Sequence, residues 1–254
     1  MNPAKPSEQS LSVQKAVVVL NLIGAADAPP SVSEIVAATG LGKTVVLRIL
    51  ATLSAGRFVE RDAASGRYRL GSSFITLAQK ALQQNPLVLR AKPVIEEIVA
   101  LTGDIGLLMT LDRGMSLCIE RRVGSSPIAA MGTAIGTRSP IHGGGGPFAL
   151  LAFSDDVFVE EYLSQPLQRM TPRTVFDPVR VRERIQEARE RGFTIGEEDL
   201  FEYIVAIGVP IRGVGGELLG SLSVGSINHR YPHERCIEVG YQLKEIAARH
   251  CGRI

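Results

Sequence analysis

Along most of the chain, apolar residues recur at helical or strand spacing, and turn-forming residues separate the periodic stretches. The clearest case is 33–53, SEIVAATGLGKTVVLRILATL. Ser33 is expected to cap a short helix over 34–39, and Glu34 is favourable at the positive end of that helix. Gly40 suits the left-handed position that ends a helix, and Leu41 plugs the turn that follows. A second helix is expected to start at 42–44. In it Val46, Ile49, Leu50 and Leu53 fall at i, i+3, i+4 and i+7, one buried stripe. The opposite face carries Thr44, Leu47, Arg48 and Ala51, with Lys43 at its entrance. That face is lean, basic and free of acidic residues, which suits a helix entering a DNA major groove beside phosphates.

Upstream, Ser12 is expected to cap a helix over 13–23 whose apolar face is Val13, Ala16, Val17, Leu20 and Ile23, with Gly24 ending it. Pro29–Pro30 bars helix before the next unit. Downstream, 57–61 and 67–70 read as strands around a turn at 62–66, with Phe58, Val59, Tyr68 and Leu70 as strand-forming bulk. This hairpin holds Arg57, Arg61, Arg67 and Arg69. A helix, a helix-turn-helix and a basic hairpin make a winged helix-turn-helix. The arginines are expected to straddle phosphates, which positions the protein, while base-edge contacts from the helix specify sequence. The predicted DNA-contacting set is Ser33, Lys43, Thr44, Val45, Leu47, Arg48, Arg61, Arg67 and Arg69. Val45 and Leu47 favour thymine methyl groups over hydrogen bonds to purines.

Beyond residue 71 the pattern changes. Phe74, Leu77, Ala78 and Ala81 line one face of a connecting helix over 72–83, which Asn85–Pro86 breaks. A further helix spans 87–101. Strands follow at 104–111 and 115–123, joined by a hairpin turn at Asp112-Arg113-Gly114, with a short third strand at 128–131. His142 and four consecutive glycines, Gly143 to Gly146, then precede Pro147, which is well placed in the first turn of a helix. Bare N–H groups in this loop can cradle an anion. Helices are expected over 155–164, over the strongly charged 178–191, and over 231–251, where Ile237, Tyr241, Ile246 and Ala247 lie near one face. Strands at 192–196, 203–211 and 218–227 complete a mostly antiparallel sheet flanked by helices.

Composition narrows the class. With 254 residues, 45% of them hydrophobic and 21% charged, the chain is expected to fold into two domains. No apolar run approaches a membrane span, and residues 1–10 are a polar tail without the apolar core of an export signal. The three cysteines are too scattered for a disulfide framework, so a cytoplasmic location is expected. The net charge of +2 is uneven. Residues 1–80 hold nine Lys/Arg and five Asp/Glu, or +4, and residues 81–254 hold nineteen and twenty-one, or −2. The basic part is the one with the helix-turn-helix.

SVQKAVVVLNLI, SEIVAATGLGKTVVLRILATL and GRYRLG closely resemble the N-terminal domain of IclR-type transcriptional regulators, and the resemblance runs through nearly the whole chain. It implies an α+β architecture: a flexible tail (1–10), a winged helix-turn-helix DNA-binding domain (11–71), a linker helix (72–85) and a GAF-like α/β effector-binding domain (86–254). It also implies homodimers or tetramers, operator DNA and a small organic acid, aromatic acids included, as partners, and no cofactor. The chain would then be a repressor or activator of a catabolic operon. The chain departs from the family at Gly42, Thr44, Val45 and Leu47, where members often have Pro, Ser, Thr and His. Members typically carry PLHATALGKALLA at the effector loop; here Pro140, His142 and the ALLA end are kept, while Pro147 and Phe148 replace the usual Gly-Lys pair. Thr171 and Thr174 match a family T-x-x-T segment. By resemblance the pocket takes Gly196, Ala206, Ser223 and Gly225 together with His142 and the glycine loop. The acidic and thiol types of some members are absent from those positions, so a larger, less polar pocket is expected. Ser223 and the Gly143 to Gly146 amides would hold an acid group, and Met109, Met131 and Tyr203 its apolar end.

Two other classes compete. One is a GAF-like sensory module without sequence-specific DNA binding. The other is an esterase using HGGGG as an oxyanion hole, but that chemistry needs G-x-S-x-G, which the sequence lacks, so no enzyme is expected. His229, His233 and Cys236 have suggestive spacing, yet Pro232 interrupts them and no second cluster completes four ligands, so no metal is expected.

Overall fold

The computed structural model describes residues 9–126 and 133–251. The chain divides into two compact units, Met1–Ala81 and Leu82–Ile254.

The first unit contains α1 (Leu11–Ala25), α2 (Val32–Thr39), α3 (Lys43–Ala55), an antiparallel hairpin of β1 (Val59–Arg61) and β2 (Tyr68–Leu70), and most of α4 (Ser73–Gln83). Its core is Val19, Ile23, Ile35, Val46, Leu50, Val59 and Tyr68. Ser31, not Ser33, caps α2: its hydroxyl accepts the Glu34 N–H, and the Glu34 carboxylate accepts the Ser31 N–H at 2.6 Å. This reciprocal box requires the cap to lie three residues before the acid, which leaves Ser33 exposed inside the first turn. Gly40 closes α2 at φ +67°, as its position predicts. α1 also departs from its expected face. Val19 and Ile23 are buried, whereas Val13 and Val17 are 61% and 47% exposed. A helix apolar nearly all round has no unique face, so packing on α2 and α3 chose one. Ser10, not Ser12, precedes that helix.

The second unit contains α5 (Pro86–Thr102), β3 (Ile105–Asp112), β4 (Met115–Arg122), β5 (Arg138–Ser139), α6 (Gly146–Ala152), α7 (Asp156–Leu163), α8 (Pro178–Arg191), β6 (Thr194–Glu197), β7 (Ile204–Arg212), β8 (Leu218–Ile227) and α9 (His233–Cys251). The strands form one antiparallel sheet in the order β5-β4-β3-β8-β7-β6. Arg113 and Gly114 both take positive φ in the β3–β4 hairpin, which matches the right-handed twist of its strands. The expected strand at 128–131 lies outside the described residues.

Both sheet faces are covered. On one, α5 and α9 bury Ile207, Val209, Leu222 and Val224. α9 turns Val239, Gly240, Leu243, Ile246 and Ala247 inward, while Tyr241, expected inside, is 55% exposed. On the other face sit α6, α7 and α8, with Phe148, Leu151, Val159 and Ile185 in a second apolar cluster. The residues of the sheet that face α6 are small. Gly196 pairs with Ala206 and Ala206 with Gly225 in one row, and Thr194 with Gly208 and Gly208 with Ser223 in the next. Large side chains on alternate positions fill one face, and small ones on the other let backbone approach.

Candidate functional site

In the first unit, burial of Val46 and Leu50 turns the other side of α3 outward. Lys43, Thr44, Leu47, Arg48 and Ala51 are exposed there, as the periodicity predicts. Val45 is half-buried and lines a groove with Val13 and Ala16 of α1, so Leu47 is the apolar residue the helix presents. The hairpin arginines are less free than their spacing suggests. Arg67 pairs with Glu34 at 2.9 Å and also donates to the Pro29 carbonyl. Arg69 pairs with Glu60 at 2.9 Å, and the Arg61 Nε donates to the Gly66 carbonyl. The Ser31 amide, the Ser31 hydroxyl and Arg67 together hold the Glu34 carboxyl below its usual range. Arg67 thereby ties the wing to the start of α2, where a phosphate-only role was expected. Among the described residues, Lys43 and Arg48 have no ion-pair partner, which leaves their charges available to DNA.

In the second unit, the sheet and the glycine loop enclose a cavity of about 60 Å³. Ile105, Leu107 and Met109 of β3, Ile204 and Ala206 of β7, and Ser223 and Gly225 of β8 form its floor. Gly144, Gly145, Gly146 and Pro147 form one wall, and Asp199, Leu200 and Phe201 another. The loop lies directly on the strands. A Cβ on Gly145 would meet the Ala206 carbonyl carbon at 2.6 Å, and one on Gly196 would meet the Gly144 backbone at 2.3 Å. The Thr194 hydroxyl donates to the Gly145 carbonyl and the Ser221 hydroxyl to the Gly146 carbonyl, each at 2.7 Å. Asp199, 3% exposed, accepts the Gly144 N–H at 2.8 Å and the Arg184 Nη2 at 2.7 Å. Arg184 also lies over the Phe148 ring, 4.6 Å from its centroid.

Two family models match this chain. The IclR C-terminal model of bacterial transcriptional regulators covers residues 79–251, and the IclR helix-turn-helix model covers 12–63. The chain belongs to the IclR family. It is a DNA-binding transcriptional regulator. Over 238 residues it is 29% identical to the HTH-type transcriptional regulator KipR of Bacillus subtilis, covering 93% of this chain and 94% of that one. Among solved structures, an IclR-type regulator from Alicyclobacillus acidocaldarius superposes with a TM-score of 0.84 at 26% identity, covering 96% and 98% of the two chains. An IclR homologue from Microbacterium hydrocarbonoxydans, crystallised with 4-hydroxybenzoate, shares the fold at a TM-score of 0.77 and 24% identity, with 94% and 97% covered.

In this IclR-family chain the structure gathers Met109, Gly144, Gly145, Gly146, Gly196, Ala206, Ser223 and Gly225 around the cavity. Three predicted residues stand elsewhere. His142 is buried among other partners: one ring nitrogen faces the Tyr162 hydroxyl and the other the Gln168 carbonyl, both at 2.8 Å. Burial holds its imidazole below the ordinary value, and burial likewise pushes the Tyr162 phenol up. Because the Ile141 N–H donates to the same Tyr162 oxygen, this network braces the loop. Gly143 faces Met170 and Asp199, and Tyr203 is 66% exposed at φ +64°. Met131 lies outside the described residues.

The cavity holds one group that was not expected and less space than was expected. An acidic residue does line it, Asp199, which sequence reasoning missed because nothing in its local pattern signals that residues after β6 fold back over the loop. The expected larger pocket is instead small, because glycine opposite glycine brings backbone onto backbone rather than leaving space. By this measure a water needs about 10–15 Å³, so the cavity has room for roughly four to six waters. The T-x-x-T segment holds the acidic wall in place, since Thr171 and Thr174 donate their hydroxyls to the carbonyls of Glu198 and Asp199, each at 2.7 Å. Cys236 is fully buried with its thiol toward the Tyr231 carbonyl, while the His233 side chain is 68% exposed, so these two do not converge. All three cysteines are buried and unpaired. Among the described residues, no single helix is long and apolar enough to cross a membrane.

Proposed function

We propose that this IclR-family chain is an effector-responsive regulator of a catabolic operon in the cytoplasm, with a small organic acid as its effector. The observation that carries the reading is the pairing, in one chain, of an exposed acid-free face on α3 with a separate cavity walled in part by backbone amides. Lys43, Thr44, Leu47 and Arg48 contact the operator, with Leu47 against thymine methyls and Arg48 on base edges or phosphate. Arg61, Arg67 and Arg69 guide the wing along the phosphates. A homodimer, or a tetramer built from two, reads paired half-sites. The acid occupies the cavity beside Gly144 to Gly146 and Ser223, and its different affinity for two states of the protein changes operator affinity. The 4-hydroxybenzoate held by the Microbacterium homologue supports an acid ligand.

The test is a gel shift with DNA from upstream of the protein's own gene. The native chain retards it, affinity falls steeply with salt, and Arg48→Ala lowers affinity about tenfold or more. An Arg48→Ala protein that binds as the native chain does would sink the assigned interface. Thermal-shift screening of organic acids, from pyruvate to 4-hydroxybenzoate, checks the effector class. A melting point raised only by neutral molecules would exclude the acid.

A further inference from the structure

The Arg184–Asp199 pair leaves one group unused. The Arg184 guanidinium is held by the Phe148 ring, by the Ile195 carbonyl at 3.2 Å and by Asp199 through Nη2. Its Nη1 is fully buried and has no hydrogen-bond partner among the described residues. A buried guanidinium normally uses its fork, because two parallel bonds to one carboxylate are its strongest arrangement. Here Asp199 splits its oxygens, giving one to Arg184 and the other to the Gly144 N–H. That amide belongs to the loop facing the cavity, and among the described residues of the lining there is no Lys, Arg or His. The segment carrying Asp199 is bounded by Glu198 at φ +58° and Tyr203 at φ +64°, two non-glycine residues in a strained region.

We infer that Asp199 stands in for the effector's carboxylate and that the acid binds by exchange. This rests on the organic-acid reading above. In the structure Asp199 occupies the Gly144 amide. In the bound form the ligand carboxylate takes that amide, and Asp199 turns to pair with both Nη1 and Nη2 of Arg184. Without a ligand each placement of Asp199 leaves one donor open, Nη1 in one and the Gly144 amide in the other; the ligand carboxylate fills the amide and so favours the second. The exchange also separates two like charges, because the released aspartate is neutralised by the full fork as the acid arrives. Thr171 and Thr174 grip the carbonyls of Glu198 and Asp199, so the turn of Asp199 is carried into the 171–174 loop.

Two variants of the full chain test this by calorimetric titration. The probes are pyruvate and lactate, each beside its uncharged counterpart, hydroxyacetone and propane-1,2-diol. Asp199→Asn keeps an acceptor for Gly144 but removes the competing charge. It is expected to bind the acids about tenfold or more tightly than the native chain, with the uncharged probes unchanged. Arg184→Lys keeps the ion pair and the fold but has no fork to receive the displaced aspartate. It is expected to bind the acids about tenfold more weakly, again without moving the uncharged probes. Acid binding by Asp199→Asn that is equal or weaker overturns the exchange, as does native-like acid binding by Arg184→Lys. If neither the native chain nor either variant binds an acid, the organic-acid reading itself is wrong.

Discussion

α3 offers Lys43, Thr44, Leu47 and Arg48 to solvent from a helix whose inner stripe is buried, whereas the 142–146 loop is buried at every residue and lines the cavity with the backbone of 144–146. The first surface works through side chains projecting outward. Its geometry follows from helical spacing, because burying Val46 and Leu50 leaves the opposite side no other place to go. The second works through the absence of side chains. Glycines on the loop meet glycine and alanine on β6 and β7, and the amides and carbonyls so exposed are taken up by Asp199, Thr194 and Ser221. A surface for DNA tolerates change at its exposed residues. A cavity walled by backbone does not, since each added atom collides with main chain.

The largest expected effect breaks that contrast at the loop. Gly145→Ala puts a methyl 2.6 Å from the Ala206 carbonyl, with no flexible side chain to yield. It is expected to cost about 3 kcal/mol, the upper end of the usual overpacking range, and chemical denaturation would measure it. A matched exposed change on α3, Ala51→Gly, is expected to cost only about 1 kcal/mol through helix propensity. Equal losses would erase the distinction drawn between the two surfaces.

Tyr162→Phe probes the bracing behind the loop. It leaves the Ile141 N–H and the His142 ring without their shared partner, at a cost of about 2 kcal/mol. Native-like stability in this variant would show that the network bears little of the loop's order. Next in size, Ser31→Ala removes the α2 cap and is expected to lose about 1 kcal/mol, while Ser33→Ala changes stability by less than about 0.5 kcal/mol. The reverse ranking would restore Ser33 as the cap.

The smallest effect is a pH slope. Burial holds the folded His142 imidazole below its ordinary value of 6.5, so between the folded and unfolded values the unfolded chain binds the extra proton. Stability is therefore full above 6.5, falls as the pH drops through 6.5 toward the lowered folded value, and then levels. Replacing His142 with Gln should flatten that part of the curve. An unchanged slope would assign the titration elsewhere.

Local chemistry and periodicity made the first unit legible from sequence. The Gly40 stop, the start of α3 and its exposed set all emerged from spacing, and so did most strands of the second unit, while α2 begins two residues earlier than Ser33 implied. The errors there were of facing, not of existence. In α1 the run of valines offered several equivalent stripes, and spacing gave no sign that folding would bring Glu34, thirty-three residues away in sequence, to the side of Arg67. The cavity was legible only in part. The small residues alternating along β7 and β8 marked a face that something approaches closely, but not that the 199–201 segment would close over it.

Legible from sequence alone is therefore whatever depends on neighbours within about one helical turn or along one strand: the glycine stops, the buried stripe of α3 and its basic face. What only the tertiary structure decided is the pairing of groups far apart in the chain. Asp199 reached the Gly144 amide across 55 residues, and His142 met Tyr162 rather than the cavity. The physical reason is that a buried donor or acceptor must find a partner wherever the packed backbone places one, and no local pattern encodes which distant group that will be.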